Sequence, residues 1–110
     1  MSLRQHWFHI LLALADKPLN GVGITDEVLE RTEGGLQLWP GMLYGALRQM
    51  TDLGYISETA VPEGFTASGG KPRFYRITPL GKRACAAEAE RLERIVRAAR
   101  QKHLLRKTGA

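Results

Sequence analysis

A proline and a glycine enclose the segment of this sequence that most restricts its fold. Pro40 suits the first turn of a helix because its φ is already helical and its missing N–H would have no partner there. Gly54 suits the left-handed position just after a helix ends. The pattern predicts a helix from Pro40 to about Leu53, with one buried stripe at spacings of four and three: Leu43, Leu47 and Met50.

The opposite face of this predicted helix has a different character. It carries small, polar and charged residues, again at helical spacing: Gly41, Tyr44, Gly45, Arg48 and Asp52. One side can therefore pack on a domain while the other stays free for a partner. Small residues at Gly41 and Gly45 would let the helix approach a partner surface closely.

Two helices are predicted before this segment. Residues 4–15 form the first, because a single apolar stripe runs along them: Trp7, Ile10, Leu11 and Leu14. A turn rich in proline, asparagine and glycine is expected over residues 18–23. The second helix is predicted to begin at Gly23 or Thr25 and to end at about Thr32.

Two strands and a long helix follow. Residues 55–59 and 73–78 are rich in strand-forming residues, and a loop of glycine, serine and proline joins them into a hairpin. Thr78 and Pro79 are typical of an N-cap and a first helical residue, so the last helix is expected to run from there to about Leu105. The fold class predicted is therefore mostly α with a small β-hairpin, in the order of a winged helix-turn-helix followed by a long C-terminal helix.

The last helix carries a heptad-like stripe of mostly small residues: Cys85, Ala89, Leu92, Val96, Ala99 and His103. Ile95 widens this apolar surface. A helix of this length cannot bury such a stripe within so small a domain, which predicts a partner. We divide the chain into a winged helix-turn-helix domain, residues 1–78, and a C-terminal dimerisation helix with a short tail, residues 79–110.

Charge alone decides little about function. The net charge of +5 fits a polyanionic partner, but residues 1–78 carry seven basic and eight acidic residues, whereas residues 79–110 carry nine and three. We expect no enzyme, because no catalytic constellation or nucleotide-binding fingerprint is present. We expect no metal or cofactor, since Cys85 is the only cysteine. We also expect a cytoplasmic protein without a membrane span, because no apolar run is long enough.

The order of elements points to double-stranded DNA. The second helix of a helix-turn-helix enters the major groove, and here its free face offers Arg48 to a phosphate or a guanine edge and Tyr44 to a phosphate. The wing adds a basic tip that could follow the DNA backbone or the minor groove: Lys71, Arg73 and Arg76.

Two motifs resemble the PadR family of transcriptional regulators. The segment 39–50 with 53–56 looks like the family's recognition helix and first wing strand, and the segment 73–83 looks like its second wing strand and the capped start of its dimerisation helix. The resemblance implies a sequence-specific transcriptional regulator, which we expect to be a repressor. It also implies that a homodimer binds a pseudo-palindromic operator and that Trp7 lies in the dimer interface. It also implies space for a small-molecule effector near helix one, beside Trp7, Phe8, His6 and His9.

One position departs from the family pattern. Met42 stands where a threonine or serine hydroxyl is usual, so a phosphate contact there must be absent or come from backbone N–H groups at the helix start. The alternative function is a winged-helix module that binds a protein and no DNA, which the slightly negative charge of residues 1–78 keeps open.

Overall fold

The computed structural model describes residues 3–65 and 72–106 of the chain. Over these residues it has four helices and three short strands: α1 Gln5–Leu14, β1 Leu19–Asn20, α2 Gly21–Arg31, α3 Pro40–Asp52, β2 Ile56–Thr59, β3 Phe74–Ile77 and α4 Pro79–Gln101. This is the predicted mostly α, winged helix-turn-helix class. None of the helices in the described part is long and apolar enough to cross a membrane.

Strands β2 and β3 pair antiparallel as the predicted hairpin, but the sheet has a third strand, β1, where a plain turn was predicted, and its order is β1-β3-β2. Leu19 pairs with Tyr75 and Asn20 pairs with Phe74 on the open edge of β3. A strand of two residues has no periodicity to detect. It forms because β3 offers unpaired backbone groups to a segment that is already extended.

Helix α2 begins at Gly21 rather than at Gly23 or Thr25. The Asn20 side chain caps it by accepting a hydrogen bond from the backbone N–H of Gly23 at 2.9 Å. Glycine is a poor helix former, which led us to expect a turn here. The packing at Gly21 is nevertheless close: a Cβ there would lie 2.9 Å from the Tyr44 hydroxyl, so the Tyr44 side chain would have to shift.

Three helices end in the same way, with a residue of positive φ after the C-cap. These residues are Glu33 after α2 (φ 53°), Gly54 after α3 (φ 82°) and His103 after α4 (φ 61°). After α4, the N–H of His103 donates to Arg100 and the N–H of Leu104 donates to Ala99, which closes the helix. Helix α4 therefore ends at Gln101, earlier than predicted, and His103 leaves the heptad stripe.

The core gathers around α1, whose Ile10, Leu11 and Leu14 are almost fully buried. Helix α1 packs on α2, α4 and β3, while α3 packs on α2 and β2. On the outer face of the sheet, Phe74 is covered instead by Phe65, with ring centroids 4.9 Å apart. The helices thus cover one face of the sheet, whereas on the other face Phe65 covers Phe74 and Arg76 stays exposed.

Thr78 joins the end of α3 to the start of α4. Its hydroxyl donates to the carbonyl of Gly54 at 2.5 Å and accepts from the N–H of Gly81 at 3.0 Å, which caps α4 as predicted. Its own N–H donates to the carbonyl of Tyr55 at 3.0 Å. Gly81 packs so closely that an added Cβ would lie 2.0 Å from that same Tyr55 oxygen. This α3–α4 junction leaves no room for the two helices to shift against each other.

Candidate nucleic-acid interface

The inward face of α3 is as predicted. Leu43, Leu47 and Met50 are buried, and Ala46, which the sequence reasoning did not place in the core, is buried with them. Pro40 occupies the first turn, and the extended backbone of Trp39 precedes it without a side-chain cap. The apolar contacts therefore fix the rotation of α3 about its axis, which determines the residues that face outward.

The outward face of α3 is shallow at its centre. A Cβ built at Gly41 or at Gly45 would meet no other atom of the protein within 4 Å. Larger side chains stand around this flat strip, with Arg48 exposed, Tyr44 52% exposed and Met42 40% exposed. A surface with this profile can approach a partner closely at its centre while longer side chains reach around it.

Tyr44 lies against the first turn of α2. Its hydroxyl and ring, together with the Leu43 side chain, are the atoms that a Cβ at Gly21 would meet. The N–H groups of a helix's first turn lack partners within the helix and favour anions. The Tyr44 hydroxyl thus lies close to the start of α2, a helix end that favours an anion such as a phosphate. The sequence reasoning assigned Tyr44 to a phosphate but did not find its position beside α2.

The wing contributes two described arginines. Arg76 is exposed on β3 between the buried Tyr75 and Ile77. Arg73 is also exposed, and its Nε lies 3.5 Å from Oε1 of Glu58 on β2. Because both partners of that pair are largely solvated, the ion pair is weak and can be exchanged for a phosphate. Lys71, the third basic residue predicted here, lies outside the described residues.

A groove of about 250 Å³ joins the wing to the helix-turn-helix. Residues from the start of α2, from α3 and from the wing line it together: Asn20, Gly21, Val22, Tyr44, Pro72, Arg73 and Tyr75. Asn20 both pairs with the wing strand and caps α2. The strand that the sequence reasoning missed is therefore what ties the predicted wing to the predicted helix-turn-helix.

The residues predicted for a dimer interface differ in how much surface they offer. Trp7 and Cys85 are already buried by the chain itself, at 9% and 8% exposure. Further along α4, Leu92, Val96 and Ala99 are half-buried, and three others are exposed: Ala89, Ile95 and His103. The stripe thus begins in the core of the chain and continues past it along an extended molecule of 52 × 27 × 26 Å.

A buried carboxylate lies where α1 meets α4. Glu88 is 5% exposed, and its two oxygens accept hydrogen bonds from Arg91 at 2.9 and 2.6 Å, which lowers the pKa of the Glu88 carboxyl. A groove of about 490 Å³ runs beside this pair. It is lined by Leu3, Gln5, Phe8, His9, Glu88, Arg91 and Leu92.

This groove includes two of the four residues predicted for an effector site, Phe8 and His9, whereas Trp7 and His6 do not line it. Partial burial and the charge of Arg31 lower the pKa of His9, which favours the neutral ring. The sequence reasoning missed Glu88. The signal was present, because an acid facing the apolar side of a helix needs a partner such as the arginine three residues on.

Comparisons with known proteins agree with this architecture. The family model described as "Transcriptional regulator PadR-like family" matches residues 10–87. An uncharacterized protein of Lysinibacillus sphaericus is 32% identical over 81 residues, 73% of this chain and 72% of its own.

Two solved structures share the fold. A PadR family transcription regulator from Clostridium difficile superposes with a TM-score of 0.73 at 24% identity, over 89% of this chain and 97% of its own. Bacillus subtilis PadR, in complex with operator DNA, superposes with a TM-score of 0.63 at 24% identity, over 76% of this chain and 46% of its own.

Proposed function

Because the chain belongs to the PadR-like family of transcriptional regulators, we propose that it is a cytoplasmic, sequence-specific DNA-binding repressor that binds a pseudo-palindromic operator as a homodimer. One observation carries the proposal: the exposed face of α3 has two glycines, Gly41 and Gly45, for which the chain itself gives no steric reason. Glycine within a helix costs about 0.5–1 kcal/mol relative to alanine. Its presence here is accounted for by a partner that approaches the backbone, as the wall of a major groove does.

The other side chains then take roles that follow from their positions. The first turn of α3, Pro40–Met42, enters the major groove. Arg48, later in the same helix, reaches a guanine edge or a phosphate. Tyr44 and the amides at the start of α2 bind one phosphate. Arg73, Arg76 and, by proposal, Lys71 follow the backbone beside the wing.

The dimer would use the apolar stripe of α4. It begins in the core at Cys85 and continues past the domain to Ala99, so a second copy can cover what the chain leaves half-exposed. Residues 1–78 would then act as the DNA-binding unit and residues 79–110 as the dimerisation unit. In the B. subtilis structure the operator DNA is bound by PadR itself, and two-fold pairing would present two α3 helices to a site of matching symmetry.

We also propose that a small molecule relieves repression by binding in the groove beside Glu88 and Arg91. The groove combines apolar walls from Phe8 and Leu92 with the charged pair, which is the mixture typical of small-molecule sites. It adjoins α4, so a ligand there can alter how two copies pair.

The second candidate is a winged-helix module that binds a protein. The observation that favours it is the ion pair between Arg73 and Glu58, which offsets one of the wing's positive charges. A protein with a mixed-charge surface would therefore also suit this wing.

Selection from a random pool of duplex DNA separates the two candidates. We expect enrichment of one motif with two related half-sites, bound tightly at low salt and more weakly as salt rises. Arg48→Ala should weaken binding to this motif about fivefold or more, from the cost of losing one base or phosphate contact. Arg83→Ala, which removes an exposed arginine from α4, is the matched control and should bind like wild type. A pool with no enriched motif would contradict DNA recognition and favour the protein-binding module.

A further inference from the structure

Exposed apolar side chains cluster where α2 and α3 begin. Val22 is 68% exposed, Trp39 is 65% exposed and Met42 is 40% exposed, and Tyr44 stands beside them. Val22, Trp39 and Tyr44 line one groove of about 300 Å³ between the first turns of the two helices. Large apolar side chains gathered on the surface of a small domain mark a place where a partner binds.

The core gives no reason for these side chains to be apolar. Leu38 and Leu43, their neighbours in the sequence, point inward and are buried, whereas Trp39 and Met42 point outward. Helix α4 does not cover them, because it packs on α1 while α3 packs on α2 and β2. The cluster therefore belongs to the same surface as Arg48 and the wing arginines, and to neither the core nor the stripe of α4.

The charges around the cluster restrict the kind of partner. Arg48 follows it on α3, and Arg73 lines the adjoining groove with Val22 and Tyr44. Asp26 lines the cluster's groove and Glu58 pairs with Arg73. The three exposed arginines of this surface, Arg48, Arg73 and Arg76, still outnumber these two acids and favour a polyanion around the apolar centre. Duplex DNA has one apolar group among the base edges of its major groove, the C5 methyl of thymine.

We propose that Trp39 and Met42 recognise thymine methyl groups in the DNA half-site, with Val22 forming the facing wall of the same surface. This inference rests on the proposed DNA-binding function. The residues at the start of a recognition helix are those that reach the bases. Methionine adapts its shape to an apolar neighbour. Met42 cannot bind a phosphate through a hydroxyl, and this assignment gives its side chain a role.

Replacing thymine by deoxyuridine tests the proposal because it removes only the methyl group. The enriched DNA site is resynthesised with deoxyuridine at one symmetric pair of positions at a time, and affinity is measured by fluorescence anisotropy. We expect one or two positions at which affinity falls about fourfold for each methyl lost, the equivalent of one buried CH₂ group. Trp39→Ala or Met42→Ala should bind the thymine site more weakly and should no longer distinguish it from the deoxyuridine site.

Leu53→Ala is the matched control, because Leu53 is an apolar residue, 52% exposed, at the far end of the same helix. It should distinguish the two DNAs as wild type does, and circular dichroism melting should show that all three variants fold. Tight wild-type binding that ignores every deoxyuridine overturns the inference and leaves DNA recognition standing. Trp39→Ala and Met42→Ala variants that still distinguish the two DNAs also overturn it. A failure to enrich any DNA overturns both proposals, and the selection shows this before deoxyuridine is used.

Discussion

Gly45→Ala separates what α3 needs for folding from what it needs for binding. Gly45 lies within α3, its φ is not in the left-handed region, and an added Cβ meets no protein atom within 4 Å. Alanine should therefore stabilise the helix by about 0.5–1 kcal/mol, since glycine there costs backbone entropy without a packing gain. For a chain of this size the melting temperature should rise by about 2–8 °C.

Affinity for DNA should move in the opposite direction. If the backbone at Gly45 meets the groove wall, the new methyl group holds α3 away from the bases and weakens neighbouring contacts. The loss of one good base contact corresponds to about 1–3 kcal/mol, or roughly five- to 150-fold in affinity. The assay pairs thermal melting by circular dichroism with fluorescence anisotropy on the selected site.

Gly81→Ala is the matched comparison for stability, because the same substitution there would place a Cβ 2.0 Å from the Tyr55 carbonyl oxygen. A Gly45→Ala variant that is more stable and binds DNA as well as wild type would refute the reasoning, since the flat strip on α3 would then have no role at the interface.

Three further outcomes follow from contacts in the structure. Gly81→Ala should lower the free energy of unfolding by about 1–3 kcal/mol or more, from the clash with Tyr55, and urea unfolding that matches wild type would contradict this packing. The hydrogen bonds from Arg91 lower the pKa of Glu88, so this carboxylate stabilises the fold at pH values above its ordinary pKa of 4.5, and the gain is lost as the pH falls through its lower folded pKa. The free energy of unfolding in urea, measured from pH 7 to pH 3, should therefore depend less on pH in Glu88→Gln than in wild type. A pH profile that the substitution leaves unchanged would count against the pair. Leu92→Glu places a charge in the half-buried stripe of α4, so sedimentation velocity should show a dimer for wild type and a monomer for the variant. A wild-type protein that is already monomeric at micromolar concentration would be the contrary result.

Local signals in the sequence were enough to predict α3 and the start of α4. Pro40 and Gly54 act within one turn of the helix ends, and the Thr78 hydroxyl caps α4 from three residues away. Contacts between distant segments were not predictable in this way. Strand β1 exists only because β3 has an open edge, and the close approach of the Tyr44 side chain to Gly21 depends on how α3 packs on α2.

The candidate site shows the same division. The helical periodicity of residues 40–53 was sufficient to assign Tyr44 and Arg48 to the outward face of α3, and both side chains are exposed. The pairing of Arg73 with Glu58 depends on the register of β2 against β3, which the sequence pattern did not define. The end of α4 was missed because His103 takes a left-handed φ, which non-glycine residues seldom adopt.

The α3–α4 junction at Thr78 has a consequence for operator architecture. Because Gly54, Thr78 and Gly81 hold the end of one helix against the start of the other, the direction of α4 is fixed relative to α3 within a chain. In a pair of chains joined through α4, as proposed, the separation of the two α3 helices then depends only on how the two α4 helices are placed on each other, including the angle at which they cross. The number of base pairs between half-sites, about 10 for each helical turn of DNA, would report that placement. A molecule that changes the angle would act by shifting the preferred spacer length, with each DNA-binding unit left internally unchanged.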